Sequence, residues 1–145
     1  MKRVTEPELM IAPEQVKTYA EADFSVTEND LVNELSSLLR KSESLGEEFL
    51  VLDLGCGPGN ISERIATRFK NSKVLGIDDS LEMIRVANER RDLLNRNSCF
   101  KRLRYEKINI SLLAKGKTAL LNCADVVVSN SFIHHIHDPN IFFSA

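Results

Sequence analysis

The twelve residues from Phe49 to Asn60 restrict the fold of this chain more than any other stretch. Phe49, Leu50, Val51, Leu52 and Leu54 make a short apolar run, with Glu47 and Glu48 before it and Gly55, Gly57 and Gly59 after it. Such a run reads as a strand buried on both faces in a parallel sheet, ending in a tight turn. Its one carboxylate, Asp53, needs a reason to be there. Ile61, Ile65, Ala66 and Phe69 then recur at helical spacing, so the turn leads into the N-terminus of a helix with one apolar face. Strand, glycine turn and helix together form a nucleotide-type site, where backbone N–H groups meet a ligand at the carboxyl end of a strand.

The details of the turn narrow the ligand. The dinucleotide fingerprint G-x-G-x-x-G ends in a glycine where helix and strand pack closely. That position is Asn60, and the third glycine comes one residue early. A phosphate loop would need G-x-x-x-x-G-K-[ST], which is not present at this turn. Phosphate is therefore disfavoured, and Asp53 suits a ligand carrying an amine or sulfonium cation.

With these residues in view, Val51 to Gly59 resembles the first motif of the class I S-adenosylmethionine-dependent methyltransferases. Gly76-Ile77-Asp78-Asp79-Ser80-Leu81-Glu82-Met83 resembles the second motif. Asp125 to Asn130, followed by Phe132 to Pro139, is similar to the fourth-strand segment of the small-molecule branch of that family. The resemblance spans most of Phe49 to Pro139 and implies an α/β, three-layer Rossmann-like fold with a mainly parallel sheet ordered 3-2-1-4-5-7-6. It implies S-adenosyl-L-methionine as cofactor and a small-molecule acceptor.

Site residues follow from motif and resemblance together. Asp53 would organise the turn and the methionine end of the donor, and Gly55, Cys56, Gly57 and Gly59 would let the backbone approach it. Asp78 lies at the end of a second strand, about 20 residues past the glycines, where α/β nucleotide sites hold ribose hydroxyls. Asp79 and Met83 belong to the same second motif, and Asp79 with Glu82 three residues on reads as a helix cap. Asn109, with Ile110 beside it, falls where the family carries an acid that meets the adenine amino group; Asn accepts the same bond through its carbonyl oxygen, without charge assistance. Asn130 should lie across from the glycine turn. Tyr19 sits in an N-terminal segment of the kind that closes over the cofactor in relatives. No residue is assigned as catalytic. Transfer from a sulfonium is a single displacement that depends on positioning and desolvation, so the lack of a Ser-His-Asp constellation is no argument against an enzyme.

Several features take the plainer reading. Cys56 stands near a helix N-terminus that would lower a thiol pKa, yet it is read as structural. The basic stretch from Arg85 to Lys107 lacks interleaved aromatics and reads as a solvated helix face and edge strand, not a nucleic-acid patch. His134, His135 and His137 lack supporting ligands apart from Asp138, so no metal is expected. A net charge of −2 makes no case for a nucleic-acid or membrane partner. Three scattered cysteines and no apolar leader point to the cytoplasm.

In chain order, residues 1–48 form an arm and helices that pack on the sheet, and residues 49–145 form the cofactor-binding unit. Pro13 starts a helix over Glu14 to Ala22, and Thr27-Glu28-Asn29-Asp30 resembles a capping box ahead of a stripe of Leu31, Leu35, Leu38 and Leu39. Lys73 to Ile77, Leu103 to Ile108 and Ala124 to Ser129 read as the second, third and fourth strands, and Ser111 to Gly116 as a short helix. At 145 residues the chain ends just after the fourth strand, so the fold is expected to be truncated there, with a sheet edge open to a second copy in a homodimer. Two other classes stay open: a non-catalytic cofactor-binding fragment, and an NAD-dependent oxidoreductase.

Overall fold

The computed structural model describes residues 10, 12–41, 46–95, 100–109 and 123–130. Helix α1, Pro13–Glu21, starts with proline at its first turn, where the missing N–H has no helical acceptor anyway. Helix α2, Ser25–Lys41, begins two residues before the expected capping box. Asp23 makes the start instead, its Oδ1 accepting from Ser25 N at 2.9 Å, while the Thr27 hydroxyl donates back to Phe24 O. Glu28, in the first turn of the helix, turns into the protein, where it is 5% exposed. The apolar stripe of α2 is also rotated: Val32 and Leu35 are buried, Leu31 and Leu39 pack at their edge, and Leu38 is exposed.

Strand β1, Phe49–Leu54, is followed by α3, Asn60–Arg68, then β2, Ser72–Asp78, and α4, Leu81–Asn95. A 3₁₀ turn, Phe100–Arg102, leads into β3, Leu103–Lys107, and β4 covers Val126–Ser129. All pairings are parallel and the order is β3-β2-β1-β4. The β1 residues alternate between faces, and both faces are apolar. Phe49 and Val51 join Val74, Leu103, Ile61, Ile65, Ile84 and Ala87 under the helices, while Leu52, Leu54 and Ile77 form a second cluster on the opposite face. Two-sided burial is why β1 reads as an almost unbroken apolar run. β3 and β4 are the edges of the described sheet, and the central residue of β4, Val127, is 53% exposed.

Several of the basic side chains from Arg85 onward are paired with acids. Arg85 pairs with Glu82 and Glu89, Arg91 with Asp92, and Arg102 with Glu48. Among the described residues no helix is long and apolar enough to cross a membrane, and no group of three His, Cys, Asp or Glu residues is placed to hold a metal. Ile110, the Ser111 to Gly116 helix and the three histidines lie outside the described residues.

Candidate functional site

The site is built where β1 and β2 end side by side. Gly55 N and Cys56 N both donate to Ile77 O, at 2.9 and 3.0 Å, so the turn leaves β1 by hanging from β2. Gly57 N then donates to Asp78 Oδ2 at 3.0 Å, and Ser80 N donates to Asp78 Oδ1 at 2.8 Å. One carboxylate thus clasps the glycine turn and the entry to α4 together. The cap of α4 is Ser80, whose hydroxyl accepts from Met83 N and whose carbonyl accepts from Ile84 N. The expected cap at Asp79 is therefore replaced by its neighbour. Asp79 turns towards β3 instead and accepts from Asn109 Nδ2 at 2.9 Å, with Lys107 Nζ at 3.9 Å.

Asp53 lies beneath the turn, 1% exposed, and accepts from the Ser62 hydroxyl at 2.5 Å. Side chains alternate along β1, so Asp53 shares the helix-covered face with Val51 and meets the first turn of α3. Burial pushes its carboxyl up to about 6; the Ser62 hydrogen bond opposes this, and nearby Asp78 adds to it. Its folded pKa thus exceeds the unfolded value of about 3.9, so the stability from protonating it is complete below that value and is lost as pH rises through about 6. We expect Asp53→Asn to abolish this loss, worth on the order of 2–3 kcal/mol between about pH 4 and pH 7. Urea unfolding of both proteins across that range checks it, and parallel stability curves would refute the assignment.

The close packing that the dinucleotide fingerprint gives to a third glycine is handled differently here. Gly59 is the N-cap of α3 at φ +88°, and a Cβ built there would stand 2.3 Å from Tyr105 Oη. Tyr105 pairs in register with Gly76, and its ring lies over that glycine, where a Cβ would be 2.6 Å from Cδ1. From there its hydroxyl donates to Gly59 O at 3.1 Å. Two glycines, one in the turn and one on β2, therefore accommodate one buried tyrosine that props the turn. Asn60 is free of that packing role. Its Nδ2 donates to Glu28 Oε1 at 2.8 Å and its Oδ1 accepts from Arg90, joining α2 to α4 across the start of α3. Arg64 closes the same network on Glu28 Oε2, and Arg90 pairs with Glu63. Tyr105, Ser62, Glu28 and Arg90 were not assigned to the site from the sequence. Only Tyr105 left a signal there, as an inward-facing aromatic in β3 opposite a glycine.

The sequence-designated residues separate into groups. Asp53, Gly55, Cys56, Gly57, Gly59 and Asp78 converge on the turn. Tyr19 joins them from α1, its ring 4.0 Å from a Cβ built on Gly57. Asp79 and Asn109 form a neighbouring pair, Met83 is buried in the first turn of α4, and Asn130 follows Ser129, which is in register with Leu54. The Cys56 thiol is pushed well up by burial and then by Asp53 and Asp78, the reverse of the lowering expected from a helix N-terminus. It behaves as a packed side chain, which is the role read from the sequence. A cleft of about 920 Å³ opens elsewhere, between the α1–α2 corner, α3 and α4, and is lined by the Glu28, Asn60, Arg64 and Arg90 network, not by Asp78 or the turn glycines.

The electrostatics of the turn are acidic. Asp78 raises the pKa of Asp53, Cys56 and Tyr19 alike, and Asp53 adds to the rise at Cys56. This donor set fits a nucleoside ligand that carries positive charge and fits a pyrophosphate poorly. At Gly57 a Cβ would meet nothing nearer than Tyr19, so the turn has an open side for such a ligand.

Comparison with known proteins agrees with this chemistry. Residues 45–145 match the family model described as a methyltransferase domain. Malonyl-[acyl-carrier protein] O-methyltransferase of Bacillus cereus is 27% identical over 84% of this chain and 46% of its own length. Trans-aconitate 2-methyltransferase of Paracidovorax citrulli is 55% identical over 28% of the chain and 15% of its own length. A structure from Methanococcus maripaludis, provisionally assigned as an S-adenosyl-L-methionine-dependent methyltransferase, shares the fold with a TM-score of 0.71 at 17% identity, over 97% of this chain and 60% of that one. Phosphoethanolamine N-methyltransferase 2 of Haemonchus contortus, in complex with S-adenosyl-L-methionine, is 28% identical with a TM-score of 0.57, over 77% of this chain and 24% of that one. The chain spans less than half the length of the curated relatives it matches.

Proposed function

The chain belongs to the methyltransferase-domain family, and from that premise we propose that it binds S-adenosyl-L-methionine and serves methyl transfer to a small-molecule acceptor. The observation that carries the reading is the acidic turn: Asp53 beneath it and Asp78 bonded to Gly57 N, with the glycine backbone between them. When bound, this cofactor supplies a methyl group already activated on a sulfonium. Asp78 would take the ribose hydroxyls, Asp53 would keep α3 and the turn in place through Ser62, and Gly55, Cys56 and Gly57 would present backbone to the methionine end. Tyr19 would cover the turn and exclude water, Met83 would pack behind the site, and Asn109 would meet the base. Asn130, at the end of β4, would face the side from which an acceptor approaches. Relatives named for trans-aconitate and for phosphoethanolamine support an acceptor that is a small molecule. A cytoplasmic setting and pairing of two copies along β4 complete the proposal.

The test compares ligands that stabilise the folded state. A ligand at 100 times its Kd adds about 2.7 kcal/mol, which moves Tm by several degrees in a domain of this size. S-adenosylhomocysteine is expected to raise Tm and NAD to leave it unchanged. The reverse pattern would replace the methyltransferase reading with that of a nicotinamide enzyme. Cofactor binding with no methyl transfer to any acceptor would favour the non-catalytic alternative.

A further inference from the structure

We propose that Glu28, on α2, is a positioning residue for the methionine end of the cofactor, because it fixes the far end of the glycine turn through Asn60. The proposal rests on the cofactor reading above and goes further into the same site.

The two ends of the turn are held by different elements. Its start hangs from β2, with Gly55 N and Cys56 N on Ile77 O and Gly57 N on the Asp78 carboxylate. Its far end, where Gly59 passes into Asn60, is held by side chains from β3 and α2: the Tyr105 hydroxyl donates to Gly59 O, and the Glu28 carboxylate accepts from the Asn60 amide. Asn60 is the first residue of α3, so whatever fixes it also fixes where the helix N-terminus points. The N–H groups at a helix start suit an anion, and the methionine end of the cofactor carries a carboxylate.

Glu28 is placed for that role. A carboxylate in the first turn of a helix is ordinarily solvated, yet this one is buried. Such burial is costly unless the charge is paired and hydrogen-bonded. Oε1 accepts from Asn60 Nδ2 at 2.8 Å, and Oε2 accepts from Arg64 Nε at 3.0 Å, one turn further along α3. Arg64 Nη1 also donates to Asn29 Oδ1 at 2.7 Å, which keeps its guanidinium against α2. On the other side the Asn60 amide oxygen accepts from Arg90 of α4. A carboxamide has one donating and one accepting end, so a carboxylate on one side and a guanidinium on the other permit a single orientation. Asn60 is thereby gripped from two helices at once. Glu28 lies ahead of residues 45–145, so the domain match does not account for it.

The experiment measures Kd for S-adenosylhomocysteine and for methylthioadenosine, which keeps the nucleoside and the sulfur but lacks the amino-acid end. The wild-type chain is expected to prefer the first. Glu28→Ala should weaken S-adenosylhomocysteine by about 10-fold and methylthioadenosine by less than about 3-fold, because only the longer ligand reaches the displaced end of the turn. Glu28→Gln keeps an oxygen for Asn60 but sets an NH₂ group against Arg64, so its loss should fall between; it carries the test if the alanine variant does not fold. Asn60→Ala should reproduce the Glu28→Ala pattern, and adding Glu28→Ala to it should cost little more, since the two residues act in series. An equal loss for both ligands would mean a general loosening of the fold and would overturn the proposal. A Glu28→Ala effect that persists in full in the Asn60→Ala background would overturn it too. That result would route Glu28 through Tyr19, whose hydroxyl pKa is raised by burial and then by Glu28. If the wild type bound neither compound, the cofactor reading would fall and this inference with it. Tight S-adenosylhomocysteine binding with a ratio unmoved by Glu28→Ala would overturn this inference alone.

Discussion

Asp78→Ala is expected to weaken S-adenosylhomocysteine binding by about 100-fold, measured by titration calorimetry below the unfolding transition. The carboxylate carries two loads. It accepts from Gly57 N and from Ser80 N, and so sets the distance between the glycine turn and the start of α4. It is also the group at the end of β2 that would accept from the ribose. A hydrogen bond to a charged group is worth about 1.5–3 kcal/mol, and about 3 kcal/mol corresponds to somewhat over 100-fold in Kd. The turn loses an anchor in the same step, so the variant should also lose about 1–2 kcal/mol of stability, because the half-buried Gly57 N–H is left without its partner. Asp78→Asn keeps one accepting oxygen but turns an NH₂ group towards one of the two N–H donors, and should fall between, near 10-fold. Unchanged affinity in Asp78→Ala would remove ribose binding from this residue and leave it a purely structural clasp.

Gly59→Ala should have the largest effect on stability, about 2–5 kcal/mol by urea denaturation. Two costs add. At φ +88° an L side chain is strained by about 1–2 kcal/mol, and a Cβ 2.3 Å from Tyr105 Oη and 2.7 Å from its Cζ forces a buried ring to move, at about 1–3 kcal/mol. Against a total stability of about 5–15 kcal/mol, such a loss removes a large share of the margin. The second cost depends on the tyrosine. Tyr105→Leu alone loses packing and the bond to Gly59 O, but in the double variant it removes the obstruction, so the two changes should be non-additive by at least about 1 kcal/mol. Strict additivity would mean that the ring relaxes away without cost and does not prop the turn.

β1 was legible to the residue, Phe49–Leu54, because a strand buried on both faces leaves an apolar run that a glycine turn terminates. β2, β3 and β4 came within two residues at either end, and the Asp78 position followed from its distance to the glycines. Caps were read less well. Asp78-Asp79-Ser80 offers three residues able to cap α4, and the cap fell to Ser80 only because Asp78 is held by Gly57 and Asp79 by Asn109, on segments 21 and 30 residues away. The α2 capping box failed because the helix starts two residues earlier, at Ser25 with Asp23 accepting from its N–H, which leaves Thr27 inside the first turn donating to Phe24 O.

The amino-acid order alone therefore determined the kind of site: a glycine turn between strand and helix, an acid beneath it, a second acid one βα unit later, and a ligand more cationic than phosphate. These are properties of short stretches, where spacing along the chain fixes distance in space. The tertiary structure decided what each acid touches. That Tyr105 fills the room left by Gly59 and Gly76 and that Asn60 bridges two helices depend on contacts between residues about 30 or more apart in the chain, and that Asp53 meets Ser62 depends on how α3 docks on β1. Such contacts are chosen by which faces pack together, and side-chain periodicity within one element does not carry that information.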